Sequence, residues 1–285
     1  MTTAVTRSRA FSQVDVFSAV PLLGNGLAVV HDGTGLDDAR MAAFARWTNL
    51  SETTFLLPPT SPEADYRVRI FTPGGELPFA GHPTLGSCHV WLGQGGRPKQ
   101  AGTIVQECAV GLVALRQDAA SGRLAFRAPP TTVERVDGEL LERVPLGLGL
   151  QREDIVSSAW LSNGFPQLVL QLRDAATVLA VKPDHAALKP LAKVGLVGAY
   201  PPGHEVQFEV RFFVSPLGIP EDPVTGSLNA NLAHWLIDGG RAPARYVAAQ
   251  GQAMARAGRV HVARDADGTW IGGDVAPCIT GTVLL

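Results

Sequence analysis

Two short segments half a chain apart constrain what this sequence can fold into. Gly81-His82-Pro83-Thr84 and Asp222-Pro223-Val224-Thr225-Gly226-Ser227 each open an apolar run, and 141 positions separate His82 from Pro223. Each follows an alternating segment carrying an Arg and a Phe, Arg69 and Phe71 in the first half and Arg211 and Phe213 in the second. A recurrence at half of a 285-residue chain predicts a duplicated domain. Composition supports it, with 46% hydrophobic and only 18% charged residues to build sizeable cores.

Between these markers the periodicity predicts strands over 11–17, 27–30, 53–57, 66–71, 103–107, 111–116 and 123–127. Helices are expected over 36–47 and 83–92, the latter apolar nearly all round and therefore buried. The second half repeats the order, with strands over 158–161, 166–171, 197–200, 206–214, 245–250, 259–263, 270–272 and 280–285. Its helices are expected over 184–194 and 225–237. The resulting fold class is α+β, with two similar pseudo-symmetric domains, each a mostly antiparallel sheet or barrel curled around one central helix. The expected domains are residues 11–128 and 131–277, joined at Ala128-Pro129-Pro130, with strand 278–285 returning to the first.

A formal net charge of −2 provides no field for nucleic acid or an anionic membrane. No run approaches the roughly 20 apolar residues of a membrane span. Met1–Ala10 reads as a frayed polar leader without the apolar core of a signal peptide. Cys88, Cys108 and Cys278 are too scattered for a disulfide framework or zinc site, so a reduced cytoplasmic protein is expected. Cys88, in the middle of a buried helix, is expected to be inert.

Both motifs place small residues and hydroxyls at a helix start, where free amides and the helix dipole favour an anion. Two such ends facing each other would hold a small carboxylate from both sides. The simpler alternative is that Thr84, Asp222, Thr225 and Ser227 are caps or turn residues. Glu52 lies between a helix and a strand, either as a solvated loop residue or as a general base in a partly apolar site. His82 could be an acid, a donor or a structural cap, and Asp15, Glu76 and Asp222 could be supporting carboxylates. The remaining histidines have no metal-ligand spacing. Leu23-Gly24-Asn25-Gly26 lacks the third glycine of a dinucleotide loop.

The sequence resembles the phenazine-biosynthesis PhzF-like proteins, which share the diaminopimelate epimerase fold. The resemblance rests on Asn49-Leu-Ser-Glu-Thr-Thr-Phe55, Phe71-Thr-Pro73 with Gly81-His-Pro-Thr84, Arg211-Phe-Phe213 and Glu221-Asp-Pro-Val-Thr-Gly-Ser227, and on the later Gln250-Gly251 and Ile271-Gly-Gly273. It implies a site between two lobes, a homodimer, and neither metal nor organic cofactor. It also implies a dihydro-hydroxyanthranilate-type substrate, with Glu52 shuttling a proton and His82, Asp222 and Ser227 assisting. Amides at Gly81 and Gly226 would hold the carboxylate, with Thr84 and Thr225 beside it. The epimerases of this fold use two cysteines, and Ala80 and Pro223 stand near those positions, so two-thiol racemisation is not expected. Two other readings stay open at this point. One is a carboxylate-binding protein without turnover, and the other is a racemase or epimerase using non-cysteine bases.

Overall fold

The computed structural model describes residues 6–285. The chain divides into two compact units, Met1–Arg127 with Gly272–Leu285, and Ala128–Ile271. The first begins with strands β1 (Ser8–Val16) and β2 (Asn25–Val30), helix α1 (Asp38–Thr48), and strands β3 (Glu52–Leu57), β4 (Tyr66–Thr72) and β5 (Gly75–Leu77). Helix α2 (Gly81–Gly93) and strands β6 (Ile104–Cys108), β7 (Gly111–Gln117) and β8 (Leu124–Arg127) follow. The second unit contains β9 (Thr132–Glu134), α3 (Gly138–Leu148), β10 (Ile155–Ser162), β11 (Gln167–Leu172), α4 (Ala175–Ala180), α5 (His185–Leu188) and β12 (Val194–Ala199). It continues through β13 (Phe208–Phe213), α6 (Gly226–Asp238), β14 (Arg245–Gln250) and β15 (Gly258–Asp265), and β16 (Gly268–Gly273) and β17 (Val275–Leu284) end the chain.

The duplication is written in the strand pairing. In the first unit β1–β2 is antiparallel, β2–β3 parallel, β3–β4 antiparallel, β4–β6 parallel and β6–β7 antiparallel. In the second, β10–β11, β11–β12, β12–β13, β13–β14 and β14–β15 run through the same five senses in the same order. The sheets are mostly antiparallel, as expected, with two parallel pairs in each unit. Each sits where a helical segment crosses over between strands, as a parallel pair requires.

In each unit helices cover both faces of the strands, which explains strands buried on both sides such as β2 and β11. In the first unit Met41, Phe44 and Ala45 of α1 pack with Val30, Phe55 and Phe71 on one side. Helix α2 covers the other side, and Gly86 lets it settle: a Cβ there would fall 2.5 Å from Leu27 and 3.0 Å from Val16. In the second unit Val144 and Leu148 of α3, Val178 of α4 and Leu188 of α5 pack on Leu168, Leu170, Val194 and Leu196. Gly195, between the last two, presents the opposite face to Leu228 of α6, 2.7 Å from where its Cβ would lie.

Several local expectations change. The expected leader enters the sheet at Ser8, while its first five residues lie outside those described. Arg9 can be buried there because its guanidinium donates to the Asp32 and Thr34 carbonyls. The helix expected over 184–194 is only His185–Leu188. Pro190 has no amide to continue it. Strands β5 and β9 and helices α3 and α4 were not foreseen. Helix α3 carries Pro145 inside it, which masks its apolar face of Leu140, Leu141, Val144 and Leu148. Residues 272–277 lie with the first unit, because β17 pairs with β1 from Val275 opposite Val16.

Replacing Gly86 by Val should overfill the α2–sheet contact and lower stability by about 2 kcal/mol, read as a lower urea midpoint with unchanged slope.

Candidate functional site

In the first unit the site begins with a latched turn. Asp15, near the end of β1, is buried and accepts the Gly24 amide at 2.7 Å. Gly24 has no room for a side chain, since a Cβ would lie 2.2 Å from the Val16 carbonyl oxygen. The latch delivers Asn25 into the protein as the first residue of β2, 1% exposed. Its Nδ2 lies 3.4 Å from Nδ1 of His82. An amide nitrogen only donates, so Nδ1 accepts and the imidazole proton sits on Nε2. That Nε2 lies 3.2 Å from Oε2 of Glu52. Burial pushes His82 down to about 3 despite the carboxylate beside it, so the ring is neutral across the physiological range.

Glu52 is the first residue of β3, opposite Leu27 of β2, with its side chain 15% exposed. Helix α1 ends just before it, at Asn49 in the left-handed region with φ 53°. Glu52 is therefore a strand-end carboxylate at a buried imidazole, not a solvated loop residue. His82 belongs to the first turn of α2, whose preceding residue, Ala80, provides no side-chain cap. Thr84, expected near substrate, is instead fully buried and committed to the helix. Its hydroxyl donates to the Ala80 carbonyl at 2.9 Å and accepts from Gln106 Nε2 at 3.0 Å, while Tyr66 donates to Gln106 Oε1 at 3.0 Å. Gly81 is buried where α2 starts.

The second unit holds the other cluster at the start of α6. Thr225 occupies the cap position, yet its hydroxyl caps no amide. It donates to Asp222 Oδ2 at 2.5 Å. Its own amide donates to Gln250 Oε1 at 3.0 Å. Asn229 Nδ2 bridges Gln250 Oε1 and the Thr225 carbonyl, at 3.0 and 2.9 Å. Gly226 is buried as the first residue of α6. Ser227, half-buried, accepts from Gln167 Nε2 at 3.2 Å, and Asn231 and Thr131 extend that chain inward. The Asp222 amide donates to the Phe212 carbonyl at 2.9 Å. Beside it Glu221 receives two bonds from Arg211, at 2.9 and 2.8 Å.

Sequence reasoning missed Asn25, Gln106, Gln167, Asn229, Asn231 and Gln250 as parts of these clusters. Two of them carried a signal: Asn229 and Asn231 interrupt an otherwise apolar helix, a pattern that implies buried polar partners. Asp15 serves the turn, and Glu76 pairs with Arg69 at 2.6 Å away from the Glu52 cluster. Burial pushes the Cys88 thiol up to about 12, which keeps it unreactive. Among the described residues no three His, Cys, Asp or Glu gather as a metal site would require, and no helix is long and apolar enough to cross a membrane.

The His82 assignment has a direct check. Nitrogen NMR should find the Nε2–H tautomer with no protonation from pH 8 down to pH 5. The unfolded chain binds this proton near the ordinary value of 6.5, whereas the folded protein binds it only near 3. Stability therefore falls as pH drops through that window, and His82→Gln should flatten the fall.

Comparison with known proteins places these clusters in context. A family model described as phenazine biosynthesis-like protein matches residues 14–279. The chain is 34% identical over 289 residues to antisense-enhancing sequence 1 of Schizosaccharomyces pombe, covering 95% of this chain and 97% of that protein. It is 34% identical over 225 residues to trans-2,3-dihydro-3-hydroxyanthranilate isomerase of Pseudomonas aeruginosa, covering 77% of each. A Bacillus anthracis phenazine biosynthesis protein of the PhzF family superposes with a TM-score of 0.84 at 22% identity, over 98% of this chain and 100% of that one, which shows the shared α+β fold. With the family model spanning nearly all of both units, the chain belongs to the phenazine biosynthesis-like, or PhzF, family.

Proposed function

We propose that this protein is an isomerase that moves a proton between carbons of a small carboxylic acid of the dihydro-hydroxyanthranilate type, with Glu52 as both acid and base. The observation that carries the reading is the 3.2 Å approach of Glu52 to a buried, neutral His82. Glu52 takes a proton from a carbon activated by the neighbouring enamine or carboxylate, and the resulting carboxylic acid returns it to a second carbon. One C–H bond breaks, one forms, and the double bond shifts between them. His82 lies beside Glu52 and does not take the proton itself, because Nε2 is already protonated and Nδ1 faces the Asn25 amide. That occupancy favours a single-base transfer over racemisation with His82 as the opposing base.

The first amides of α2, at Gly81 and His82, suit the substrate carboxylate, since Ala80 provides no competing cap and the helix dipole favours negative charge. We assign Asp222, Thr225, Gly226 and Ser227 to the same reaction. Two close relatives in sequence support the substrate class, as both are named trans-2,3-dihydro-3-hydroxyanthranilate isomerase.

Proton NMR of trans-2,3-dihydro-3-hydroxyanthranilate in D2O tests the proposal. The wild-type protein should place deuterium on a ring carbon, and Glu52→Gln should lower the rate by about a thousandfold. Asp222→Asn should cost about tenfold to a hundredfold in kcat/KM in the same assay. Exchange that survives Glu52→Gln at the wild-type rate would remove Glu52 from the mechanism.

A further inference from the structure

The two units share a device that the assigned residues do not explain. In each, a glutamine on the strand after the buried helix donates to a threonine at that helix's start: Gln106 on β6 to Thr84, and Gln250 on β14 to Thr225. The two strands occupy equivalent places in the repeated pairing order, β4–β6 and β13–β14. The threonine passes its own proton on, to the Ala80 carbonyl in the first unit and to the Asp222 carboxylate in the second.

The orientation of Gln250 is settled by its surroundings. Its Oε1 faces the Thr225 backbone N–H, which can only donate, and the Asn229 Nδ2, which also donates. Its Nε2 is therefore the group at 2.9 Å from Thr225 Oγ1 and 3.1 Å from the Asp222 carbonyl oxygen. A hydroxyl that accepts from Gln250 has its single proton free for another acceptor, and Asp222 Oδ2 receives it. Gln250 is 1% exposed and Thr225 7%, so water does not compete for these positions.

We infer that Gln250 is a positioning residue for the reaction, orienting the Thr225 hydroxyl so that it donates to Asp222 and holds that carboxylate in its ionised, aimed form. The inference rests on the proposed isomerase reading for its catalytic consequence. The hydrogen-bond order itself does not depend on it. A carboxylate that loses a donor is more readily protonated, so the effect reaches activity through pH. Charged groups on the neighbouring elements include Glu209 and Arg211 on β13, Glu221, Arg256 in the turn after β14, and Arg259 on β15. Glu221 and Arg211 are already matched to each other. A Cβ on Gly251 would meet both Arg256 and the Pro223 carbonyl within 3 Å, which places Arg256 beside the segment. The variants below change none of these groups.

The experiment uses the full-length protein in two arms. In the first, proton NMR follows the Thr225 hydroxyl, which should give a slowly exchanging resonance in the wild type and lose it in Gln250→Met. In the second, the pH profile of kcat/KM is measured with trans-2,3-dihydro-3-hydroxyanthranilate. Gln250→Met and Thr225→Val should each move the acid limb to higher pH and lower kcat/KM on that limb by about tenfold. The double variant should do no more than either alone, and Thr225→Ser should recover most of the loss. A hydroxyl resonance that persists in Gln250→Met, or losses that simply add, would overturn the inference. Thr225→Val keeps the second arm decisive if Gln250→Met folds poorly. If the wild type exchanges no proton, the isomerase reading fails while the hydroxyl resonance still decides the role of Gln250.

Discussion

A sheet covered by helices on both faces leaves its side chains no water, and most of this protein follows from that. Strand β2 is apolar over Leu27, Ala28, Val29 and Val30, and all four are fully buried. The few polar groups admitted must satisfy one another, because an unpaired one would cost about 1–3 kcal/mol. Several do so in short directional chains, Tyr66 to Gln106 to Thr84 in one unit and Thr131 to Asn231 to Gln167 to Ser227 in the other. Each chain ends at the start of a buried helix, and there the side chains proposed for chemistry are found.

The same exclusion of water sets the character of His82. A histidine at the protein surface would be half charged near neutrality. At 4% exposure the ring stays neutral, and a neutral ring with one donor and one acceptor is directional. Asn25 settles which nitrogen is which, and Glu52 lies 3.2 Å from the other one. The Asp15–Gly24 latch, two residues of no chemical reactivity, fixes the turn that leads into Asn25.

The repeat of motif and strand order was legible in the sequence because each half carries its own Arg-x-Phe strand and its own glycine-led helix. Glu52 and His82 were legible as residues, but their contact was not, since it joins a strand end to a helix start through the folded sheet. Thr84 and Thr225 read equally well as caps or ligand groups, and it is the glutamines facing them that fix what their hydroxyls accept. Those glutamines lie 22 and 25 positions further along the chain, too far for local pattern to connect. The helix expected over 184–194 stops at Leu188, because Pro190 has no amide to continue it. Helix α3 shows the opposite case, where a proline near the last turn was tolerated because the packing of Val144 and Leu148 held the helix together.

The route of the chain through the two units carries a consequence for their assembly during synthesis. The second unit is one continuous stretch, Ala128–Ile271, whereas the first is built from Met1–Arg127 and Gly272–Leu285. Strand β1 has β2 on one side from the outset, but its other neighbour, β17, is made after the second unit, and the Arg7 and Leu285 backbones close that pairing with bonds of 2.8 and 3.0 Å. A ribosome therefore releases every residue of the second unit before the first can be completed. Until then β1 lacks its second neighbour, so the sheet of the unit that contains Glu52 and His82 is completed only after the whole second unit has been made.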